Sequence, residues 1–209
     1  SNKDGTAIRL MIEDLKNLGV DYNRYLAKVK GDFKCDNDLE LLVEDILKLC
    51  EVAGINGNRE YIWKVLNSYE PFFKGSSISI RTTTKPIEKR DVSVRYVELM
   101  QTHKPDAYTT AIDHGLIENN GHIIHDAINE VINKFQIMGY GIDLDARKGL
   151  SKIWPFVVPG SLDPIYDLEN YPESVKNYRT YFEKHKINIF SLFAFDFFHY
   201  TTNIYIMLK

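Results

Sequence analysis

The sequence predicts an α+β fold in which antiparallel hairpins, each preceded by helices, build one sheet covered by helices on one face. Three observations carry this. Apolar residues at helical spacing give way to a period of two at Ser76–Thr84 and Asp91–Leu99. The order of helices followed by two strands recurs about three times along the chain. A length of 209 residues with 44% hydrophobic content suffices for one sizeable core.

Taken in order, Ser1-Asn2 reads as a remnant of tag removal and is set aside. From Ala7 to about Lys30, residues including Ile8, Met11, Ile12, Leu15 and Leu18 predict one or two helices, with a break at Gly19. Residues 1–37 are thus an extension, and 38–209 are expected to form a single domain. Asp36-Asn37-Asp38 can cap a helix whose stripe is Leu41, Leu42, Ile46, Leu49 and Val52, ended by Gly54 and Gly57. A third helix is expected over Arg59–Phe73. The two β-branched runs then form a hairpin whose connection begins at Lys85-Pro86.

The second cycle places helices around Ala107–Gly115 and Ile123–Phe135, then strands over Met138–Leu144 and Leu150–Val157. The third opens at Pro172-Glu173-Ser174 with a helix reaching about Lys184, followed by strands over Ile187–Phe198 and Thr201–Leu208. About six strands result. A closed barrel would satisfy every strand edge, but the sequence stops at Met207-Leu208-Lys209, inside or just after a strand, so a partial barrel is expected. The chain is then either a piece of a longer protein or a short form that protects its edge by dimerising.

Lys plus Arg number 26 against 29 Asp plus Glu, and this balance argues against a surface that holds nucleic acid by charge. No apolar run spans a membrane and no leader pattern opens the chain, so a soluble, cytoplasmic protein is expected. Cys35 and Cys50 form neither a disulfide framework nor a metal knuckle, and two reduced thiols are expected.

Residues two apart on a strand share a face. Ser79, Arg81 and Thr83 therefore point one way, as do Ser93, Arg95 and Val97, Lys152 with Trp154, and Asn203 with Tyr205. Taken singly, Arg81, Arg95 or Lys152 is more often an exposed strand cation, and Trp154 or Tyr205 more often core packing. Asn203 on its own could satisfy a turn or edge backbone group. His122 and His125 have a ligand-like spacing but no third ligand, so no metal site is expected and helix-end polarity explains them better. Asp143 and Asp145 share a face near a turn and are expected to mark its solvated end. Phe190–Tyr200 reads first as a buried strand, and second as a wall of a cavity.

Four stretches, in order, carry a family likeness: Ile80-Arg81-Thr82-Thr83-Thr84 with Val94-Arg95-Tyr96-Val97; His114-Gly115-Leu116-Ile117 with Gly121-His122; Gly149-Leu150-Ser151-Lys152-Ile153-Trp154-Pro155-Phe156; and Phe195-Asp196 through Asn203-Ile204-Tyr205. Over roughly Asp38–Lys209 the chain resembles the ABBA-type soluble aromatic prenyltransferases. That resemblance implies a barrel of repeated αα-ββ units with helices outside, here without the last two units of the family's five. It implies prenyl transfer from an allylic diphosphate, dimethylallyl or geranyl, to a small electron-rich aromatic acceptor.

The resemblance further implies that the shared strand faces line the barrel lumen. Arg95, Lys152 and Asn203 become the candidate catalytic residues, with Arg81, Ser79, Val97, Trp154, Tyr205, Ser191 and His199 candidate substrate-binding residues. A cluster of cations is costly without a counter-ion, and the diphosphate is expected to supply one. Trp154 and Tyr205 would shield the prenyl cation from water. Some members bind magnesium through an aspartate where this sequence has Arg95, so no cofactor is expected and turnover should not need magnesium. His199 stands where some relatives carry a phosphate-binding lysine, and its neutral form is a weaker anion ligand.

Overall fold

The computed structural model describes residues 38–73, 77–82, 86, 89–99 and 105–207. The helices expected over Ala7–Lys30, the Asp36-Asn37 cap, Cys35, Thr83 and Lys85 lie outside them. Helix α1 (Asp38–Ala53) buries Leu42, Val43, Ile46 and Cys50 along one face. It stops at Gly54, whose φ of 71° is the left-handed conformation that glycine adopts without strain. Burial pushes the Cys50 thiol up to about 11, so it is an inert core group.

Helix α2 (Arg59–Ser68) starts at Asn58, whose side chain accepts from the Tyr61 backbone N–H. The run expected to continue to Phe73 is interrupted at Tyr69 and resumes as the single turn α3 (Glu70–Phe73). Tyr69 is fully buried, and its hydroxyl donates to the Ala107 carbonyl at 2.7 Å. Strands β1 (Ser77–Thr82) and β2 (Val92–Leu99) follow. Then come α4 (Ala107–Asp113), capped by Asp106, and α5 (Ile123–Lys134), capped by His122.

The second hairpin is β3 (Ile137–Asp145) with β4 (Gly149–Ser161). The helix expected over Glu173–Lys184 is instead two short pieces, α7 (Glu173–Lys176) and α8 (Arg179–Lys184), preceded by a further turn, α6 (Asp163–Tyr166). Neither α7 nor α8 contains a fully buried residue, and each meets the core through one partly buried side chain, Val175 and Phe182, which is too little to hold one straight helix. Strands β5 (Ile189–Asp196) and β6 (Thr201–Ile206) complete the third hairpin.

The six strands form one antiparallel sheet in the order β1-β2-β3-β4-β5-β6. Because β1 and β6 do not pair with each other, the sheet is open rather than a closed barrel. Alternation sorts its two faces. Val94, Tyr96, Ile142, Leu144, Ile153, Phe193 and Phe195 point to the helices and are buried with α1, α2 and α5. The opposite face carries Ser79, Arg95, Asp143, Lys152 and Asp196 in successive cross-strand positions.

A β-bulge makes this possible in β4. Leu150 pairs with Leu144 and Lys152 pairs with Asp143, which leaves Ser151 as the extra residue. Ser151 is fixed by donating its hydroxyl to the Asp143 carbonyl at 2.9 Å, while its own carbonyl accepts from the Phe197 N–H at 2.9 Å. Leu150 therefore faces the helices while Lys152 and Trp154 face away. A strictly alternating strand would send Leu150 and Lys152 to the same side.

Candidate active site

The face turned away from the helices is graded along the strand direction. Nearest the β3–β4 turn, Arg81 lies opposite Ser93, and its Nε donates to Ser93 Oγ at 2.6 Å. One step inward, about 6.6 Å along the strands, runs the charged row Ser79, Arg95, Asp143, Lys152, Asp196 and Thr201. One further step brings Val97, Gly141 and Trp154 into line, and Asn203 opposite Ala194. Beyond these lie Gly139, Phe156, Leu192 and Tyr205. The face thus changes from charged to aromatic over two steps.

The cations of the charged row already hold carboxylate partners. Arg95 donates from Nε to Asp143 Oδ1 at 2.6 Å and from Nη2 to Asp143 Oδ2 at 2.7 Å, a two-pronged pair. Lys152 Nζ lies 3.0 Å from Asp196 Oδ2. Asp143 is only 3% exposed and Asp196 4%, whereas the Arg95 and Lys152 side chains are 36% and 29% exposed. The carboxylates are therefore the floor, and each cation presents its outer N–H groups above it. This corrects two expectations: Asp143 is a buried ion-pair partner rather than a solvated turn residue, and the row does not wait for a ligand to neutralise it. Asp145 does serve the turn, with Oδ1 accepting from the Arg147 N–H at 2.8 Å.

Burial works against the Asp196 charge, yet hydrogen bonds from Lys152, from the His199 ring and from the His199 backbone outweigh it and hold its pKa below the usual carboxylate range. A depressed carboxylate pKa stabilises the fold above its unfolded value near 3.9, and that contribution disappears as pH falls through the lower folded value. In urea titrations the stability gap between wild type and Asp196→Asn should stay level above about pH 5 and close at strongly acidic pH. A gap that widens on acidification would contradict the pairing.

Trp154 is enclosed. The Arg95 guanidinium carbon sits 4.2 Å from its ring centroid, and the Tyr205 ring lies 5.3 Å away at a tilt of 46°. Its indole Nε1 is buried with no hydrogen-bond partner among the described residues. Gly141 provides the space: a Cβ there would lie 3.2 Å from Trp154 Cβ and 3.3 Å from Phe156 Cε2. Gly141→Ala should cost about 1–3 kcal/mol by overpacking, and a shifted Trp154 fluorescence maximum would report the displaced ring. An unchanged spectrum and stability would show that the close approach has no consequence.

Tyr205, by contrast, is exposed and offers an open ring face. The structure therefore brings together Arg81, Arg95, Lys152, Trp154, Asn203 and Tyr205 on one face, with Ser79 and Val97 beside them. Ser191 is not in that alignment. It falls in the bulge between the Phe190–Ile206 and Leu192–Tyr205 pairs, and Leu192 occupies the face instead. His199 stands in the β5–β6 turn with Nδ1 3.0 Å from Asp196 Oδ2.

The HxxH pair resolves into two separate structural roles. His122 Nδ1 accepts the Ile124 N–H at the start of α5, while buried His125 meets the Tyr108 hydroxyl at 3.0 Å. Burial lowers the His125 pKa. Asp143 and Asp196 are the site residues that pattern reading missed as partners. Their signal was an acid on the strand next to each cation and on the same face.

Residues 37–209 match the family described as Aromatic prenyltransferase Orf2. The chain belongs to this family. Among this chain's relatives, the 5,10-dihydrophenazine-1-carboxylate 9-dimethylallyltransferase of Streptomyces anulatus is 28% identical over 172 residues, covering 80% of this chain and 57% of that protein. The furaquinocin biosynthesis prenyltransferase of Streptomyces sp. (strain KO-3988) is 22% identical, with 80% and 55% covered. The flaviolin linalyltransferase of Streptomyces virginiae is 24% identical, with 70% and 49% covered. The chain spans about half the length of the curated relatives it matches. Among the described residues, no helix is long and apolar enough to cross a membrane.

Proposed function

We propose that this member of the aromatic prenyltransferase family transfers a prenyl group from dimethylallyl or geranyl diphosphate to a small electron-rich aromatic ring, in the cytoplasm and in secondary metabolism. The observation that carries the reading is the grading of one sheet face from paired cations to aromatic rings. An allylic diphosphate has the same polarity. Its phosphates would meet Arg81, Arg95, Lys152 and Asn203, and its hydrocarbon tail would lie toward Tyr205, Phe156 and Leu192.

In the proposed reaction the allylic C–O bond breaks, the electron pair leaves with diphosphate, and an aromatic carbon attacks the prenyl carbon. The ring then loses a proton. Cations fixed beforehand by Asp143 and Asp196 need no reorganisation as negative charge grows on the leaving group, so they favour the transition state over the ground state. Tyr205 is the ring placed to shield the cation, while Trp154 acts by supporting Arg95.

We also propose that turnover does not require magnesium. The carboxylate nearest the charged centre, Asp143, is engaged on both oxygens by Arg95, whose fixed charge takes the place of a metal. Both proposals are tested by incubating the protein with each diphosphate and an acceptor panel that includes dihydrophenazine-1-carboxylate and flaviolin, with and without chelator. Prenylated mass that survives chelation supports them. Activity lost to chelator and restored by magnesium overturns the second proposal, and no product with any pair overturns the first.

A second reading is favoured by the open strands β1 and β6, whose outer backbone groups could pair with another copy in a non-catalytic, ligand-binding assembly or a homodimer. Sedimentation decides it, since a monomer over a hundredfold range of concentration excludes that assembly.

A further inference from the structure

We propose that the cavity between α2, the segment that follows α4 and the β3–β4 turn is a binding site for a small aromatic carboxylate, on the other side of the sheet from Lys152. The inference does not rest on the diphosphate reading above. The cavity measures about 540 Å³, within the range of about 300–1,000 Å³ usual for small-molecule sites. Its floor is apolar. Val65 of α2 and Leu150 of β4 are buried there, and Ile112 and Leu116 pack beside them against the core. Leu150 reaches this side because of the Ser151 bulge, which sends Lys152 to the opposite face.

The rim is polar and open to solvent, with Tyr61, Lys64, Glu118 and Lys148. Lys64 Nζ donates to the Gly115 carbonyl at 2.9 Å, which fixes the ammonium and leaves further N–H donors for a ligand. A side chain at Gly115, whose φ of 60° is left-handed, would strain the turn that aims this carbonyl. Lys148 Nζ lies 5.5 Å from the Phe198 ring centroid. Among the described residues, neither lysine has a carboxylate within ion-pair distance, whereas Arg95 and Lys152 are already paired. An anion is therefore better accommodated here than a further cation.

These features select the ligand. Two lysines against one glutamate leave a single net positive charge at the rim, which one carboxylate balances. A diphosphate would carry excess charge toward Glu118 and would find no use for the apolar floor. That floor and the Tyr61 ring suit a flat hydrocarbon body.

The test is titration calorimetry of the full chain with 2-naphthoate, beside 2-naphthalenemethanol, which keeps the rings and lacks the charge. The acid should bind at one site per chain and about tenfold more tightly than the alcohol. K64M combined with K148M should weaken the acid about tenfold and leave the alcohol within about twofold. E118Q, which removes the opposing charge, should tighten the acid about twofold to threefold. Saturating pyrophosphate, or K152M, should leave the affinity for the acid within about twofold.

Equal affinity for acid and alcohol overturns the proposal, as does an acid that binds the double lysine variant as it binds wild type, or one that does not bind at all. Displacement by pyrophosphate would place the acid on the charged sheet face, which overturns the proposal and leaves the prenyl-transfer reading standing. If dimerisation at higher protein concentration shuts the acid out, the cavity is an interface between copies and the proposal falls. Should the double variant not fold, E118Q and K148M alone still decide, since neither side chain makes a hydrogen bond among the described residues.

Discussion

Arg95→Leu is expected to lower the unfolding free energy by about 3–5 kcal/mol. The substitution leaves Asp143 at 3% exposure without the two N–H groups that now occupy both of its oxygens. A surface pair would be worth about 1 kcal/mol or less. The larger figure arises because the carboxylate stays buried when its partner goes. Replacing both residues, Arg95→Leu with Asp143→Leu, should recover most of the loss, since a leucine pair carries no charge that must be desolvated. Chemical denaturation of the two single variants and the double variant measures the coupling. A loss below about 1 kcal/mol in Arg95→Leu, with no recovery in the double variant, would mean that Asp143 does not depend on Arg95.

Lys152→Met should reduce prenyl transfer by about a hundredfold to a thousandfold, the usual effect of deleting a fixed charge donor at a leaving group. Methionine preserves much of the stem, so the loss reads the ammonium group rather than packing. The variant also removes one of the partners of buried Asp196, although His199 and two backbone N–H groups remain. Circular dichroism and urea denaturation must therefore accompany the assay. If a folded Lys152→Met retains wild-type kcat, the charged row is not the leaving-group site. If kcat falls while the affinity for pyrophosphate stays within about twofold, the ammonium acts in the transition state more than in ground-state binding.

Much of the architecture was legible because it rests on local chemistry. The period of two in Asp91–Leu99 returns as β2, with Val92, Val94 and Tyr96 against the helices and Ser93, Arg95 and Val97 on the other face. Asn58 and Asp106 cap two helix starts in the structure, a local signal that the sequence reading did not use. The run Glu173–Lys184 misled because its periodicity favours one helix, whereas it buries no residue fully and forms two short ones. The Ser151 bulge had a faint trace, since Leu150 and Ile153 stand three apart within a strand and yet both face the core.

By itself, the sequence determined the order of helices and hairpins and the shared faces of Arg95 with Val97, Lys152 with Trp154 and Asn203 with Tyr205. Those properties depend on residues close along the chain, where backbone geometry sets the period. Only the tertiary structure decided that Asp143 and Asp196 are buried beneath Arg95 and Lys152, that Arg95 covers Trp154, and that Ser191 falls out of the alignment. Each of these depends on register between strands. A shift of one residue in that register moves a carboxylate to the opposite face of the sheet.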